Sequence, residues 1–235
     1  AALGIAGAFR ALDRPVTGGN VSFYNESPTG SVDPTPVIGM IGVIPQASRA
    51  VPSHARNPGD VVFVLGETRA ELGASAYWEV CHDFIGGQPP QVDLGAEKRL
   101  ISLLVAGADR GLFRSAHDCS DGGLAVALAE VAMGGPYQGF GLGLDIDLTP
   151  HASPLTSHEL LFSESHGRAV ITCSPERAGA VQALAGELGV PALRCGSVGA
   201  QDGTFRITLR DGAIEESVTR LRDIYFSAIP RRMGD

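Results

Sequence analysis

Two adjacent glycines open the stretch TGGNVSFYNES, residues 17–27, and polar side chains follow them. Because glycine lets the backbone approach a ligand closely, the N–H groups of Gly18 and Gly19 could bind phosphate oxygens. The side-chain oxygen of Asn20 is a suitable ligand for Mg²⁺. A tight turn stabilised by the Asn20 side chain explains the same pattern. The residues alone therefore leave two interpretations, a phosphate site and a simple turn.

A second polar cluster, in the string AHDCSDGGLAVALAE, lies directly before an apolar run that predicts a helix. Asp118 and Ser120 precede Gly122 and Gly123. Polar side chains and free N–H groups would therefore meet at the positive end of the helix, which suits a phosphate or its Mg²⁺. Capping of the helix by Ser120 or Asp121 explains the same residues, and this alternative stays open.

A third cluster, Glu164, Ser165, His166 and Arg168 in LLFSESHGRAV, interrupts the junction between a predicted helix and a predicted strand. These residues could bind a ligand or form a solvated loop. The sequence contains no GxSxG, HExxH or GxxxxGK[ST] motif. Cys119, two residues from His117, is predicted to be a buried, unreactive thiol. The pattern indicates ligand binding and predicts no catalytic nucleophile.

The composition predicts a soluble, cytoplasmic, globular protein. A chain of 235 residues with 44% apolar content can bury a core, and its net charge of −8 argues against binding to nucleic acid or to an anionic membrane. The four cysteines form no CxxC motif, so we expect neither a zinc ribbon nor a redox pair. No apolar run approaches the roughly 20 residues that span a bilayer. Since the chain begins without Met and inside a helical pattern, we expect a fragment of a longer polypeptide.

The order of predicted elements favours an α+β protein with a mixed sheet and helices on one face. A helical pattern covers residues 3–12, and the apolar run 36–44 predicts a buried strand. Prolines and an Asn-Pro-Gly sequence place a domain boundary near residue 58. Thr68 and Glu71 have the spacing of a capping box that begins a short helix.

Further elements are predicted toward the C-terminus. The strings DVVFVL and GLGLDIDL have the pattern of strands, and a long helix is predicted to begin near Asp93. Ser174 and Pro175 predict the start of another helix, because serine is a favoured N-cap and proline a favoured first residue. The pair Asp202-Gly203 predicts a hairpin turn between two short strands.

Four strings in this order and spacing, TGGNVSFYNES, GDVVFVLGET, HDCSDGGLAVALAE and LFSESHGRAV, resemble one enzyme family. They are similar to the C-terminal part of formylglycinamide ribonucleotide amidotransferases of the small-subunit type, also called phosphoribosylformylglycinamidine synthases. That family belongs to the aminoimidazole ribonucleotide synthase superfamily and carries two tandem A plus B domain pairs with PurM-like folds. By resemblance, residues 1–57 would be the C-terminal part of the second A domain. Residues 58–235 would be the second, PurM-like C-terminal B domain.

The resemblance implies an ATP-dependent ligase of purine biosynthesis. In the family reaction, ATP phosphorylates the amide oxygen of formylglycinamide ribonucleotide, and glutamine-derived ammonia displaces the phosphate from this iminophosphate to give the amidine. By the same resemblance, Gly19 contacts ATP, with Gly18 permitting the turn. Asn20 ligates Mg²⁺, and Ser22 holds the substrate. No catalytic residue is implied in this chain, so the fragment alone is expected to be inactive.

The family also has an auxiliary nucleotide site on its second B domain. Its residues would correspond here to the second and third polar clusters, in which His166 stands where the family's first B domain has Gln. The residues implied at this site are Asp118, Ser120, Gly122, Gly123, Glu164, Ser165 and His166. The implied partners are the missing N-terminal half of the polypeptide, a glutaminase subunit and a small accessory subunit.

Two alternatives to this ligase remain. The chain could be a non-catalytic nucleotide-binding or assembly module. It could also belong to another superfamily member, such as a selenophosphate synthase or a thiamine-phosphate kinase relative. The string GGNVSFYNE argues against the second alternative.

Overall fold

A computed structural model describes residues 1–20, 25–33, 35–135, 138–151 and 154–234. The chain forms two compact units, Ala1–Ala47 and Ser48–Asp235. The family-based domain boundary near residue 58 remains a prediction.

Among its described residues, the first unit contains one α-helix and one short hairpin. Helix α1 (Ala2–Leu12) confirms the helical pattern near the N-terminus. Strands β1 (Glu26–Ser27) and β2 (Gly30–Ser31) are antiparallel. The strand predicted at residues 36–44 is wrong, because described residues 35–44 form no strand and the side chains of Val37 and Ile41 are 93% and 97% exposed. A strand needs a neighbour to bond its backbone, whereas β1 and β2 pair with each other.

The second unit is built around a seven-stranded sheet flanked by helices. Its strands are β3 (Val61–Leu65), β4 (Ser115–Asp118), β5 (Leu142–Asp147), β6 (Ala169–Cys173), β7 (Ala192–Gln201), β8 (Thr204–Leu209) and β9 (Gly212–Ser217). Its helices are α2 (Ala76–His82), α3 (Leu94–Asp109), α4 (Gly123–Met133), α5 (Ser157–Phe162), α6 (Ala178–Glu187) and α7 (Val218–Met233).

The sheet is mixed, with strand order β4-β6-β3-β7-β5-β8-β9. Strands β5 and β8 are parallel, and the other neighbouring pairs are antiparallel. The predicted α+β class and mixed sheet are confirmed.

Helices cover both faces of this sheet, where the sequence predicted one. All five residues of β3 are buried. Val62 and Val64 face the core beneath α4, α5 and α7, and Phe63 faces the core beneath α3 and α6. A strand of consecutive apolar residues must be buried on both faces, so the string VVFVL already indicated that helices cover both faces of the sheet.

Two predictions from local sequence, the Asp202-Gly203 hairpin and the Thr68–Glu71 capping box, are wrong because residues distant in the sequence pair with these segments. Asp202-Gly203 forms no hairpin, because β5 lies between β7 and β8 in the sheet. The Oδ1 atom of Asp202 instead accepts a hydrogen bond from the Gly141 N–H at 3.2 Å. Thr68 and Glu71 do not cap a helix, and α2 begins later, with Ser75 as its N-cap.

The longest helices among the described residues are α3 and α7, with 16 residues each. Within that part of the chain, no helix is both long and apolar enough to cross a membrane.

Candidate functional site

A cavity of about 340 Å³ in the second unit lies between α3, the end of β4 and the segment that leads into β6. We call it the α3–β4 cavity. Leu100, Ile101 and Leu104 of α3 give it apolar lining, and six polar side chains complete it. Those polar side chains are Glu97, His117, Asp118, Ser120, His166 and Arg168.

Strand β4 and the turn after it bring Asp118 and Ser120 to this cavity. The Ser120 hydroxyl donates to Oδ2 of Asp118 at 2.5 Å, and the Asp118 side chain is 78% exposed. The Cys119 N–H between them donates to the Arg168 carbonyl at 3.2 Å. This turn therefore presents one carboxylate and one hydroxyl to solvent and to the cavity.

The glycine pair after this turn does not line the cavity. The Gly122 N–H donates to Oε1 of Glu164 at 2.8 Å, and the Gly123 N–H donates to the Ser120 carbonyl at 3.0 Å. The N-cap of α4 is Gly122, with φ 80° and no side-chain cap, so capping by Ser120 or Asp121 is wrong. The two N–H groups expected to be free at this helix start are already bonded.

The Glu164, Ser165 and His166 cluster divides in the same way. His166 is exposed and lines the cavity. Ser165 is buried, and its hydroxyl accepts a hydrogen bond from the Arg69 N–H at 3.1 Å. Glu164 is half-buried and bonds to backbone N–H groups. Of the residues implied at the auxiliary site, Asp118, Ser120 and His166 thus line the cavity. The remaining four, Gly122, Gly123, Glu164 and Ser165, do not line it.

Arg168, the fourth residue of the third polar cluster, is buried and lines the cavity. It is 3% exposed, and its guanidinium donates to the carbonyls of Ser165 and Ser163 at 2.8 and 2.5 Å and to the Thr68 hydroxyl at 3.0 Å. Burial lowers the pKa of Arg168 below the ordinary arginine value. The sequence placed Arg168 in a polar cluster but did not predict these buried hydrogen bonds.

A smaller cavity of about 190 Å³ adjoins the first and shares Leu100, His166 and Gly167 with it. Arg69 and Arg99 lie on its lining together with Glu67 and Asp93, so its charges are mixed. The Asp93 carboxylate caps α3 by accepting hydrogen bonds from the N–H groups of Gly95 and Ala96. These two bonds are the main reason that the pKa of Asp93 is lowered.

In the first unit, Gly18, Gly19 and Asn20 are exposed. Gly18 lines a cavity of about 760 Å³ with apolar residues of the same unit, among them Phe9 and Val37. No carbonyl of the described residues accepts a hydrogen bond from the N–H groups of Gly18, Gly19 or Asn20. Ser22, the predicted substrate ligand, lies outside the described residues.

Metal-binding side chains are not clustered in the described ranges. No group of three or more His, Cys, Asp or Glu residues there could hold a metal ion. Asp118 and Asn20 each offer a suitable oxygen, and His117 Nδ1 lies 3.6 Å from Oδ1 of Asp118, but the described residues bring no third side chain of these types to Asp118. By themselves these residues do not form a complete Mg²⁺ site.

Cys119 is expected to be unreactive although it lines the α3–β4 cavity. Burial raises the pKa of its thiol to about 11, so only about one molecule in a thousand carries the thiolate at pH 8. Iodoacetamide at pH 8 should alkylate exposed Cys81 first, with Cys119 at least about 30-fold slower by peptide mass spectrometry. A Cys81→Ser variant is the control, and rapid labelling of Cys119 in it would contradict this expectation.

A family model described as AIR synthase related protein, C-terminal domain, matches residues 57–208. Among curated proteins, the phosphoribosylformylglycinamidine synthase subunit PurL of Thermobifida fusca is 47% identical over 233 residues, which cover 99% of this chain and 29% of the relative. The subunit of the same name from Moorella thermoacetica is 41% identical over 223 residues, or 94% of this chain and 29% of the relative. The chain therefore spans about three tenths of the length of these relatives.

Solved structures show the same fold. Thermotoga maritima PurL complexed with FGAR has a TM-score of 0.73 and 22% identity, and the match covers 93% of this chain and 36% of that one. The PurLQS structure from the same organism has a TM-score of 0.66 and 22% identity, with 94% and 35% coverage. The resemblance drawn from the four sequence strings is confirmed, and the chain belongs to the AIR synthase related family, whose C-terminal domain it contains.

Proposed function

We propose that this chain is part of a phosphoribosylformylglycinamidine synthase, an ATP-dependent ligase of purine biosynthesis. One observation supports this above the others: 47% identity to a subunit of that name extends over 99% of the chain. The chain spans 29% of that relative, so the activity proposed belongs to the complete subunit.

The proposed reaction joins formylglycinamide ribonucleotide, ATP and ammonia. The substrate's amide oxygen attacks the γ-phosphorus of ATP, and ADP leaves. Ammonia then adds to the carbon of the iminophosphate, and the carbon–oxygen bond breaks to release phosphate and leave the amidine. Because no step needs a protein nucleophile, positioning and charge neutralisation around the phosphates are what the protein supplies.

Residues 18–22 are proposed as one wall of the ATP and substrate site. Gly18 and Gly19 are exposed, so their backbone is accessible to a phosphate. A Cβ atom built at either glycine meets nothing within 4 Å, so no packing contact of the described residues explains why glycine is needed there. Asn20 would offer its side-chain oxygen to the Mg²⁺ that accompanies a nucleotide, and Ser22 would hold the substrate.

We further propose that the α3–β4 cavity is the auxiliary nucleotide site. Asp118, Ser120 and His166 line it and would contact the nucleotide or its Mg²⁺. Gly122, Gly123, Glu164 and Ser165 would support these three residues from behind. The proposed partners are the remainder of the same polypeptide, a glutaminase subunit and a small accessory subunit, and the proposed location is the cytoplasm.

A second candidate function is a non-catalytic nucleotide-binding or assembly module. The observation that favours it is that the chain spans 29% of its Thermobifida fusca relative, so it could serve as one module of that longer subunit. Calorimetry of the isolated chain with Mg-ADP partly distinguishes the two functions. Binding would support a complete auxiliary nucleotide site in this chain. No binding would support either a scaffold or a nucleotide site that another segment completes.

The Asn20→Ala variant of the complete synthase subunit tests the proposed function. Loss of a metal and phosphate ligand should lower kcat/KM for ATP at least about ten-fold in an assay of ammonia-dependent amidine formation. Asn25→Ala, just outside residues 18–22, is the matched control and should keep kcat/KM within about two-fold of the parent. Unchanged kinetics in Asn20→Ala would overturn the assignment of this loop.

A further inference from the structure

We infer that Glu164 is a positioning residue, which fastens helix α2 to the turn that presents Asp118 and Ser120, and that it is not a ligand of nucleotide or metal. Its importance for ligand binding rests on the auxiliary site proposed above. The fastening itself rests only on contacts within the second unit.

A single carboxylate oxygen makes both attachments. Oε1 of Glu164 accepts hydrogen bonds from the N–H of Ala76, the first residue of α2, and from the N–H of Gly122, directly before α4, each at 2.8 Å. Hydrogen bonds to a carboxylate are stronger than those between neutral groups. One side chain therefore fixes the starts of two helices that lie far apart in the sequence.

The backbone of Glu164 is itself held in place by the segment before α2. The Glu71 N–H donates to the Ser163 hydroxyl at 3.0 Å, and the Arg69 N–H donates to the Ser165 hydroxyl at 3.1 Å. These contacts lie on either side of Glu164 and orient its carboxylate toward Ala76 and Gly122.

This arrangement also explains why a phosphate would not bind at the start of α4 through Gly122. The Glu164 carboxylate already occupies the position that an anion would take beside that N–H. No cluster of three His, Cys, Asp or Glu residues that could hold a metal surrounds it within the described ranges. Ligand contacts are left to Asp118 and Ser120, which belong to the turn that Glu164 anchors at Gly122, and to His166.

Glu164→Gln and Glu164→Ala distinguish positioning from ligation. Gln keeps an oxygen that can accept both N–H groups but removes the charge, whereas Ala removes the acceptor. Amide hydrogen exchange, followed by NMR on the 235-residue chain, should quicken at least about ten-fold at Ala76 and Gly122 in Glu164→Ala and stay within about three-fold in Glu164→Gln. The Val181 amide, in α6 on the other face of the sheet, reports any global loss of stability and corrects for it.

Unchanged exchange at Ala76 and Gly122 in Glu164→Ala, after this correction, would overturn the proposal. Mg-ADP titration gives the second comparison. Positioning predicts that Glu164→Gln keeps its affinity within about three-fold while Glu164→Ala loses at least about ten-fold, whereas loss in both variants alike would show a ligand. If the parent chain binds no Mg-ADP, the isolated chain holds no complete nucleotide site, and the exchange experiment alone decides the role of Glu164.

Discussion

Replacing Arg168 with methionine is expected to lower the free energy of unfolding of the second unit by about 3 kcal/mol or more. The variant removes the donors for two buried carbonyls, those of Ser163 and Ser165, and for the Thr68 hydroxyl. Methionine fills similar volume but donates nothing, so three acceptors lose their partners in a region closed to water. Because an unsatisfied buried polar group costs about 1–3 kcal/mol, the expected loss exceeds that of a typical substitution.

Urea denaturation of the parent and variant chains measures this difference. Arg177→Met is the matched control, because Arg177 is exposed and the chemical change is the same, and it should shift stability by less than about 0.5 kcal/mol. Arg168→Lys keeps the charge, but one ammonium cannot reproduce the forked geometry, so it should fall between the two. A loss below about 1 kcal/mol in Arg168→Met would mean that water satisfies these acceptors.

The central elements of the second unit were predictable from the sequence because their patterns are local. The strand VVFVL is an uninterrupted apolar run, and Asp93 caps α3 through the N–H groups two and three residues ahead. Patterns of this kind depend on neighbours within a few residues. These predictions are correct because the tertiary contacts favour the same strand and the same helix cap as the local sequence does.

The capping box at Thr68 and Glu71 failed for the opposite reason. The Thr68 hydroxyl accepts from Nη1 of Arg168, one hundred residues away, and Oε1 of Glu71 accepts from the Gln91 N–H. Both side chains could cap a helix, but they accept hydrogen bonds from residues far away in the sequence instead. Local spacing cannot reveal such competition.

The candidate site shows the same limit. Polar residues that interrupt apolar runs marked all three clusters, yet the sequence could not tell which side chains face a cavity. Ser120 reaches solvent beside Asp118, while Ser165 lies buried against the backbone of Arg69. Arg168 was predicted within a cluster that binds a ligand or forms a solvated loop, and only the fold shows that this arginine is 3% exposed.

Gly123→Ala is expected to destabilise the second unit by about 3 kcal/mol or more, because backbone strain and steric overlap act together. Gly123 has φ 68°, in the left-handed region where a side chain costs about 1 kcal/mol. A Cβ atom there would lie 2.6 Å from the Ser163 carbonyl oxygen and 2.9 Å from that of Leu161. Neither atom is the end of a flexible side chain, so the backbone of residues 161–163 would have to move.

Gly179→Ala provides the control for this change, since a Cβ atom at Gly179 meets nothing within 4 Å and the residue is exposed on α6. Higher helix propensity should leave that variant unchanged or up to about 1 kcal/mol more stable in urea denaturation. Gly122→Ala should fall between the two, because the nearest obstacle to its Cβ is the Val126 side chain. Equal stability of Gly123→Ala and the parent chain would mean that the glycine pair is not required by packing. Its place in the sequence would then need a ligand to explain it.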